Sequence, residues 1–214
     1  MGLINSENAK YLKEHFRSFK NPVNILYFNS KKTNPDFCNS TRLILNELSS
    51  ISPKINLKIF DFEKEKNEVQ KYNIMMPPAT VIQSDRDIGL RYYGIPSGYE
   101  FSTLINSITM VGRGRIDISD EVRKRSSLLK EKVEIMVFVT PSCPHCPRAA
   151  AIVHKLAFIN ENIKGTVIEA NEFPELSKEF KVMTVPKTII NKNHSFEGIY
   201  RDERFVEELI KGIS

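Results

Sequence analysis

Short apolar runs alternate along the chain with segments whose apolar positions recur every three to four residues. The runs Ile25–Phe28 and Ile135–Val139 are rich in β-branched and aromatic side chains, which predicts two buried strands. A helical stretch follows each run, beginning near Asn39 in the first case. The apolar stripes of these helices are formed by Leu43, Ile44 and Leu48, and by Ala149, Ile152, Val153 and Leu156.

The likeness between the two segments continues in the same order along the chain. Leu57–Asp61 and Thr166–Glu169 both predict a second strand. Met76–Ile82 is then matched by Thr184–Ile190, a segment with a central proline in each case. The halves of the chain therefore share one order of elements.

Fixed offsets between corresponding residues support a duplication. An offset of 108 residues relates Cys38 to Cys146 and Pro78 to Pro186. A glycine is followed seven residues later by phenylalanine in each half, with an offset of 104: Gly94 and Phe101, Gly198 and Phe205. The smaller offset predicts a hairpin that is four residues longer in the first half. Ser97 and Glu100, in capping-box spacing, predict the start of the helix that closes that half.

The duplication predicts two tandem domains, residues 1–116 and 117–214. The segment Asp117–Lys132 between them is polar and charged, and Leu128 and Leu129 suggest a short helix there. The predicted order of elements in each half is strand, helix, strand, hairpin and helix. This order predicts an α/β fold in which helices pack on a sheet.

Composition and charge exclude several classes of protein. The 214 residues are 41% hydrophobic and 27% charged, which is typical of a globular protein and unlike a disordered one. No stretch approaches 18 uncharged apolar residues, so we expect no membrane span. The net charge is +5, but the signs alternate, as in Asp61–Lys66, and no basic face is evident. We therefore expect no nucleic-acid partner.

The chain has three cysteines: Cys38, Cys143 and Cys146. This number is small and odd, whereas the disulfide framework of a secreted protein has several cysteines in pairs. The three cysteines predict a reducing compartment, the cytoplasm, in which a disulfide would serve chemistry rather than stability.

The segment Cys143-Pro144-His145-Cys146 lies at a predicted strand-to-helix junction. Unpaired N–H groups and the helix dipole favour a thiolate at a helix N-terminus, and the thiolate is the attacking species. Cys146, one turn later, is near enough to displace a partner held as a mixed disulfide. His145 adds a group that is partly cationic near neutral pH.

Two other uses of this motif are weaker. A disulfide that closes a four-residue ring stabilises little, because stabilisation grows with loop length. A zinc site usually needs a second ligand pair, and none of His15, His154 and His194 has that spacing. We expect no metal, and CxxC beside a βαβ pattern first indicates thioredoxin-like redox chemistry.

Three segments together carry a resemblance to a known family: Val137–Pro147, Val182–Lys187 and Gly89–Gly98. The chain resembles the thioredoxin superfamily, and more closely the two-unit, glutaredoxin-like protein disulfide oxidoreductases of thermophilic archaea. The resemblance covers essentially the whole chain. It implies two tandem thioredoxin-like units, each with a central mixed sheet flanked by helices, acting on protein disulfides.

The resemblance also implies roles for individual residues. Cys143 would be the exposed nucleophile and Cys146 the buried resolving thiol. Pro186 matches the cis-proline that faces the active site, and Val185 would present its backbone to an extended substrate. The Pro144-His145 pair is similar to that of the more oxidising members and would tune the motif.

Glu169, at the end of a predicted strand, has two interpretations. It could be a buried carboxylate that moves protons for Cys146, or a solvated strand end. We favour the solvated strand end.

The first half departs from the family pattern, since its matching residues are Pro35-Asp36-Phe37-Cys38. Cys38 alone cannot complete a two-thiol cycle, and its helix register predicts a shielded side chain. We expect a redox-silent first unit, retained for packing or partner binding. The alternative is a reactive Cys38 that is glutathionylated or crosslinked to another protein.

The leading hypothesis is a protein disulfide oxidoreductase with the single working dithiol Cys143/Cys146. It needs no cofactor within the chain, acts on protein disulfides or thiols, and requires a separate recycling enzyme of the thioredoxin-reductase kind. The alternative is a redox-inactive, chaperone-like binding module built from two thioredoxin folds. A third idea is coordination of an iron–sulfur cluster by Cys143 with a small thiol.

Overall fold

The computed structural model describes residues 4–213. Its helices are α1 (Ser6–Phe16), α2 (Pro35–Ile51), α3 (Lys66–Lys71), α4 (Glu100–Arg113), α5 (Asp120–Ser127), α6 (Cys146–Ile159), α7 (Pro174–Glu179) and α8 (Asp202–Lys211). Its strands are β1 (Val23–Asn29), β2 (Ile55–Asp61), β3 (Ala79–Gln83), β4 (Leu90–Tyr93), β5 (Val133–Val139), β6 (Ile163–Glu169), β7 (Lys187–Ile190) and β8 (His194–Glu197).

Internal contacts divide the chain into two compact units. Unit 1 comprises the chain up to Asp87 together with residues 93–95 and 108–115. Unit 2 comprises residues 88–92, residues 96–107 and the chain from Ile116 onward. Part of the first half of the sequence thus packs with the second repeat. The boundary between residues 116 and 117 stays a prediction.

Unit 1 is built around the strand order β2-β1-β3. β1 runs parallel to β2, with Val23 opposite Ile55, and antiparallel to β3, with Phe28 opposite Ala79. β1 is apolar and almost wholly buried, as the sequence predicts. A parallel pair joined by a helix, followed by an antiparallel strand, is the predicted mixed sheet.

Unit 2 repeats this plan with the order β6-β5-β7-β8. β5 is parallel to β6 and antiparallel to β7, which pairs with β8 as a hairpin. Residues 90–92 of β4 lie on the other side of β6, where the Gly165 N–H donates to the Gly89 carbonyl at 2.9 Å. A side chain at Gly165 would clash with the Val153 carbonyl, so the glycine lets α6 lie close against β6.

The predicted difference in hairpin length is confirmed. β3 to β4 spans residues 79–93, whereas β7 to β8 spans residues 187–197. The Gly94 N–H donates to the Pro78 carbonyl at 3.0 Å, and the Gly198 N–H donates to the Pro186 carbonyl at 2.8 Å. The two hairpins therefore close in the same way around connections of different length.

Some predicted helix details are wrong. α2 begins at Pro35 rather than near Asn39, and the Leu43 side chain is 52% exposed because the buried face is formed by Ile44, Leu45 and Leu48. α4 begins at Glu100, two residues later than a capping box with Ser97 requires. The Glu100 carboxyl is instead buried.

The polar segment near residue 120 does form a short helix. α5 begins after Ser119, whose hydroxyl accepts the Val122 N–H at 3.4 Å, as an N-cap does. The helix ends at Ser127, so Leu128 lies just outside it and is exposed. Within residues 4–213, no helix has the length and apolar character that a membrane crossing requires.

Candidate active site

The paired cysteines lie where β5 gives way to α6. β5 ends at Val139, and α6 begins at Cys146. Cys143 and Cys146 are joined by a disulfide, with their Cα atoms 5.5 Å apart. Cys143 is half-buried and Cys146 is fully buried, so a reaction partner can reach the first sulfur and not the second.

The start of α6 favours negative charge on Cys143. The Cys146 N–H donates to Cys143 Sγ at 3.1 Å. His145 is the N-cap residue, and its side chain makes no capping hydrogen bond. The unpaired N–H groups and the positive end of the helix dipole thus face the sulfur. Pro144 and His145 are both exposed at this end.

The segment before β7 approaches the same sulfur. The Val185–Pro186 peptide bond is cis. The Val185 carbonyl oxygen is 3.8 Å from Cys143 Sγ. Pro186 is buried and Val185 is half-buried, which leaves an edge of backbone beside the cysteine. Val185 and Pro186 therefore border the Cys143 sulfur.

Residues 96–107, from the first half of the sequence, support the loop before Cys143. The Tyr99 N–H donates to the Pro141 carbonyl at 2.9 Å. Gly98 has φ +58°, and a side chain there would collide with that same carbonyl oxygen. Glycine is needed at this position both for the backbone conformation and for the close approach.

Glu100, next to the residue that contacts the cysteine loop, is a buried acid whose burial the sequence analysis did not predict. Its carboxyl is fully buried in unit 2. Burial raises the pKa of Glu100 to about 7, the Thr103 hydroxyl opposes that rise, and the charge of Glu169 adds to it. The capping-box spacing of Ser97 and Glu100 predicted only the start of a helix. An acid beside apolar Phe101 and Leu104 was the weak signal of its burial.

Glu169 is buried, so the preferred interpretation of a solvated strand end is wrong. β6 places it opposite Val139, the last residue of β5, and this pairing takes its side chain into the interior. Glu169 accepts the Asn171 side-chain amide at 2.9 Å and the Glu172 N–H at 2.7 Å. Burial raises its pKa, against those two donors.

Tyr92 completes a buried group of acids with Glu100, Glu169 and Glu172. Burial raises its pKa well above the usual value, and the three carboxyls raise it further. Like charges oppose ionisation in a low-dielectric interior, which is why the carboxyls raise the pKa of Tyr92 and Glu169 raises the pKa of Glu100.

The corresponding positions of unit 1 lack a dithiol. Pro35 opens α2, and Cys38 is a fully buried cysteine outside any disulfide, with its sulfur 3.5 Å from the Thr33 carbonyl. The prediction of a shielded Cys38 is confirmed. The Pro77–Pro78 bond is cis, and the Asn34 side-chain amide donates to the Pro77 carbonyl at 3.3 Å.

Among the described residues, no three His, Cys, Asp or Glu side chains converge as a metal-binding group.

One protein-family model matches part of the second unit. Residues 133–211 match the family model of the thioredoxin domain. This part of the chain is therefore similar to a thioredoxin domain. Its match begins at β5 and ends in α8, so it includes the cysteine pair, the cis-proline and the β7–β8 hairpin.

Solved structures extend the likeness beyond residues 133–211 to nearly the whole chain. The NTD_N/C domain of alkylhydroperoxide reductase AhpF from Enterococcus faecalis superposes with a TM-score of 0.89 at 26% identity, covering 96% of this chain and 99% of that one. A protein disulfide oxidoreductase from Aeropyrum pernix K1 gives 0.88 at 24% identity, over 96% and 92%. The predicted α/β fold with two tandem thioredoxin-like units is confirmed.

The curated relatives include AhpF proteins of several bacteria. The alkyl hydroperoxide reductase AhpF of Pseudomonas aeruginosa is 25% identical over 148 residues, 69% of this chain and 26% of that protein. The AhpF protein of Staphylococcus aureus MRSA252 is 24% identical over 193 residues, 88% of this chain and 34% of that protein. The chain thus spans about a quarter to a third of the length of these relatives.

Proposed function

We propose that the chain catalyses thiol–disulfide exchange on protein substrates through Cys143 and Cys146. One observation carries this proposal: a half-buried cysteine at a helix N-terminus, paired with a buried cysteine, stands 3.8 Å from the Val185 carbonyl beside a cis-proline. A structural disulfide needs neither the exposed sulfur nor the backbone edge. The likeness to AhpF, an alkyl hydroperoxide reductase, supports a redox role.

The reduced protein would act in two displacements. The Cys143 thiolate attacks a substrate disulfide, forming a mixed disulfide and releasing one substrate thiolate. Cys146 then loses its proton and attacks Cys143 Sγ, which releases the second substrate thiolate. Two electrons pass from the dithiol to the substrate, and the reverse sequence oxidises a substrate dithiol. The direction depends on the relative stability of the two forms.

Chain groups assist each displacement. The Cys146 N–H and the start of α6 stabilise the Cys143 thiolate as attacking and leaving group. The proton of Cys146 needs a buried acceptor, and a carboxyl with a pKa of about 7 is suited to take it. Glu100 is our candidate for this role, since the N–H of its neighbour Tyr99 donates a hydrogen bond to the Pro141 carbonyl in the cysteine loop. Pro144 and His145 would tune the potential from their exposed positions.

The substrate segment would bind in an extended form along the backbone of Val185. The Val185 N–H and carbonyl can pair with a peptide as a neighbouring strand does. This pairing sets a substrate sulfur opposite Cys143. The partner class is a protein with an accessible disulfide or dithiol.

A separate enzyme of the thioredoxin-reductase kind would return the dithiol to its starting state. The chain itself would use no cofactor, and we place it in the cytoplasm on its cysteine usage. These assignments of partner and compartment are predictions.

The first test is the reduction potential of the Cys143/Cys146 couple, measured in glutathione redox buffers with Cys38→Ala as background. A value near about −270 mV supports a disulfide reductase, and one near about −120 mV supports a thiol oxidase. Absence of a reversible two-electron couple would contradict exchange chemistry and favour the binding-module alternative.

A further inference from the structure

A polar network encloses the loop that carries Val185 and Pro186. Lys187, directly after the cis-proline, donates from Nζ to the Lys181 carbonyl at 2.9 Å. Glu197 on β8 lies 3.6 Å from that same Nζ. The other carboxylate oxygen of Glu197 accepts the Thr184 hydroxyl at 2.7 Å. The network therefore holds the loop on both sides of the Val185–Pro186 bond.

The hairpin determines this geometry. Lys187 and Glu197 are directly opposite each other in the β7–β8 pair, which brings their side chains to one face of the sheet. The Lys187 side chain is only 11% exposed, whereas that of Glu197 is 48% exposed. A buried ammonium needs a partner, so removal of Glu197 leaves a charge that favours a different position of the lysine and of the loop.

Unit 1 shows that the loop forms without this network. The residues aligned with Thr184 and Lys187 are Met76 and Ala79, and neither side chain has an oxygen or a charge. The Pro77–Pro78 bond is nevertheless cis, and the Gly94–Pro78 hydrogen bond is made. The network thus accompanies the dithiol, so it is associated with the redox site and not with the turn itself.

We infer that Glu197, acting through Thr184 and Lys187, is a positioning residue that fixes the Val185 backbone for protein substrates. The inference rests on the proposed function, in which a peptide pairs with Val185. Pairing by backbone hydrogen bonds requires a fixed edge, because each bond weakens steeply with distance and angle. A small disulfide reacts at Cys143 without that edge. Loss of the network should therefore weaken the use of protein substrates selectively.

The experiment compares two substrates in the full-length chain, with dithiothreitol as electron donor: insulin and hydroxyethyl disulfide. We expect Glu197→Ala to raise KM for insulin about fivefold and to leave kcat within about twofold. Fivefold is the factor expected when the binding free energy of about one hydrogen bond is lost. Turnover of hydroxyethyl disulfide should stay within about twofold. Thr184→Val should also raise the insulin KM. Thr184→Ser keeps the hydroxyl and should leave the insulin KM unchanged.

Glu134→Ala is the matched control, since Glu134 and Lys164 form another partly buried Lys–Glu pair, 3.1 Å apart, at the start of β5. Glu134→Ala should leave the turnover of both insulin and hydroxyethyl disulfide unchanged. An equal loss on both substrates, or no loss with Glu197→Ala and Thr184→Val, would overturn the inference. If the unaltered chain reduces neither substrate, the proposed function itself fails. If the unaltered chain reduces both substrates and the variants show no selective loss on insulin, only the inference fails.

Discussion

The two units have a strand-to-helix junction at corresponding positions and use it differently. In unit 2 the junction carries Cys143 at the exposed position and Cys146 at the buried one. In unit 1 these positions hold Pro35 and Cys38, and Cys38 is as fully buried as Cys146. The burial of the inner thiol is therefore the same in both units. What separates them is the exposed thiol, so burial of a cysteine at this position reflects the fold and not redox activity.

The cis-proline loops differ in a second way that matters for substrates. Val185 has an N–H and a carbonyl with which a peptide can pair. Its counterpart Pro77 has no N–H, and the Pro77 carbonyl accepts the Asn34 side chain. Unit 1 therefore lacks both the thiol pair and the backbone groups for β-pairing of a substrate. This weakens the alternative in which unit 1 grips extended chains through this loop.

The carboxylates that end the second strand of each unit also behave oppositely. Burial raises the pKa of Glu169 in unit 2. The desolvation of Asp61 in unit 1 is outweighed by the N–H groups of Lys64 and Glu63 and by the Lys64 charge, so its pKa is lowered. The Glu169 carboxyl therefore loses its proton at a higher pH than usual, and the Asp61 carboxyl at a lower one.

The largest expected effect is loss of exchange when Cys143 is changed. Cys143→Ser should lower the rate of disulfide reduction by at least about a thousandfold, because a thiolate and not a hydroxyl is the nucleophile. The insulin reduction assay measures it. Cys38→Ala is the control and should keep the rate within about twofold. A large loss with Cys38→Ala would contradict the silent role of unit 1.

The next effect is on stability. The folded pKa of Glu100 is about 7 and its ordinary value is 4.5, so the folded state binds the proton more tightly. Its contribution to the free energy of unfolding is present below pH 4.5 and is lost as the pH rises through about 7. Glu100→Gln should flatten this dependence and make the chain more stable at pH 8 by about 1–3 kcal/mol. Urea unfolding at pH 5 and pH 8 measures the change.

Asp61→Asn is the matched control for that titration. The folded pKa of Asp61 is lowered, so its contribution is present above its ordinary pKa and is lost as the pH falls. The variant should therefore be less stable than the unaltered chain at pH 8, opposite in sign to Glu100→Gln. A gain at pH 8 from both variants would contradict the opposite pKa shifts of Glu100 and Asp61.

A smaller effect tests the backbone edge. Val185→Pro gives unit 2 the residue that unit 1 has at this place and removes one N–H. We expect kcat/KM for insulin to fall about tenfold, and that for hydroxyethyl disulfide to stay within about twofold. Val185→Ala keeps the N–H and serves as the control. Equal losses on both substrates would show that the edge does not bind protein.

Apolar patterns and fixed offsets predicted the duplicated α/β fold, and the motif of Cys143 and Cys146 predicted the dithiol. Strands such as Ile135–Val139 and the position of Cys143 follow from local sequence, because burial and helix starts leave periodic signals. Glu100 could not be assigned in this way. Its burial depends on a segment of the first repeat that packs with the second, and no local pattern encodes that arrangement.

Glu169 and Glu197 show the same limit on a shorter scale. An acid at a strand end is usually solvated, and only the pairing of β5 with β6 carries Glu169 inward. Glu197 has no motif at all. Its importance depends on the register that sets it opposite Lys187.

The smallest expected effect comes from restoring a thiol to unit 1. In a Cys143→Ser background, Pro35→Cys supplies the missing cysteine of the first motif. The introduced thiol and Cys38 should form a disulfide, seen as the loss of two titratable thiols on oxidation. Insulin reduction should nevertheless rise less than about twofold, because Pro77 has no N–H and Asn34 occupies its carbonyl. Adding Pro77→Val and Asn34→Ala should raise it further. Full activity from Pro35→Cys alone would show that the thiol was the only difference between the units, and that the backbone edge contributes nothing to substrate binding.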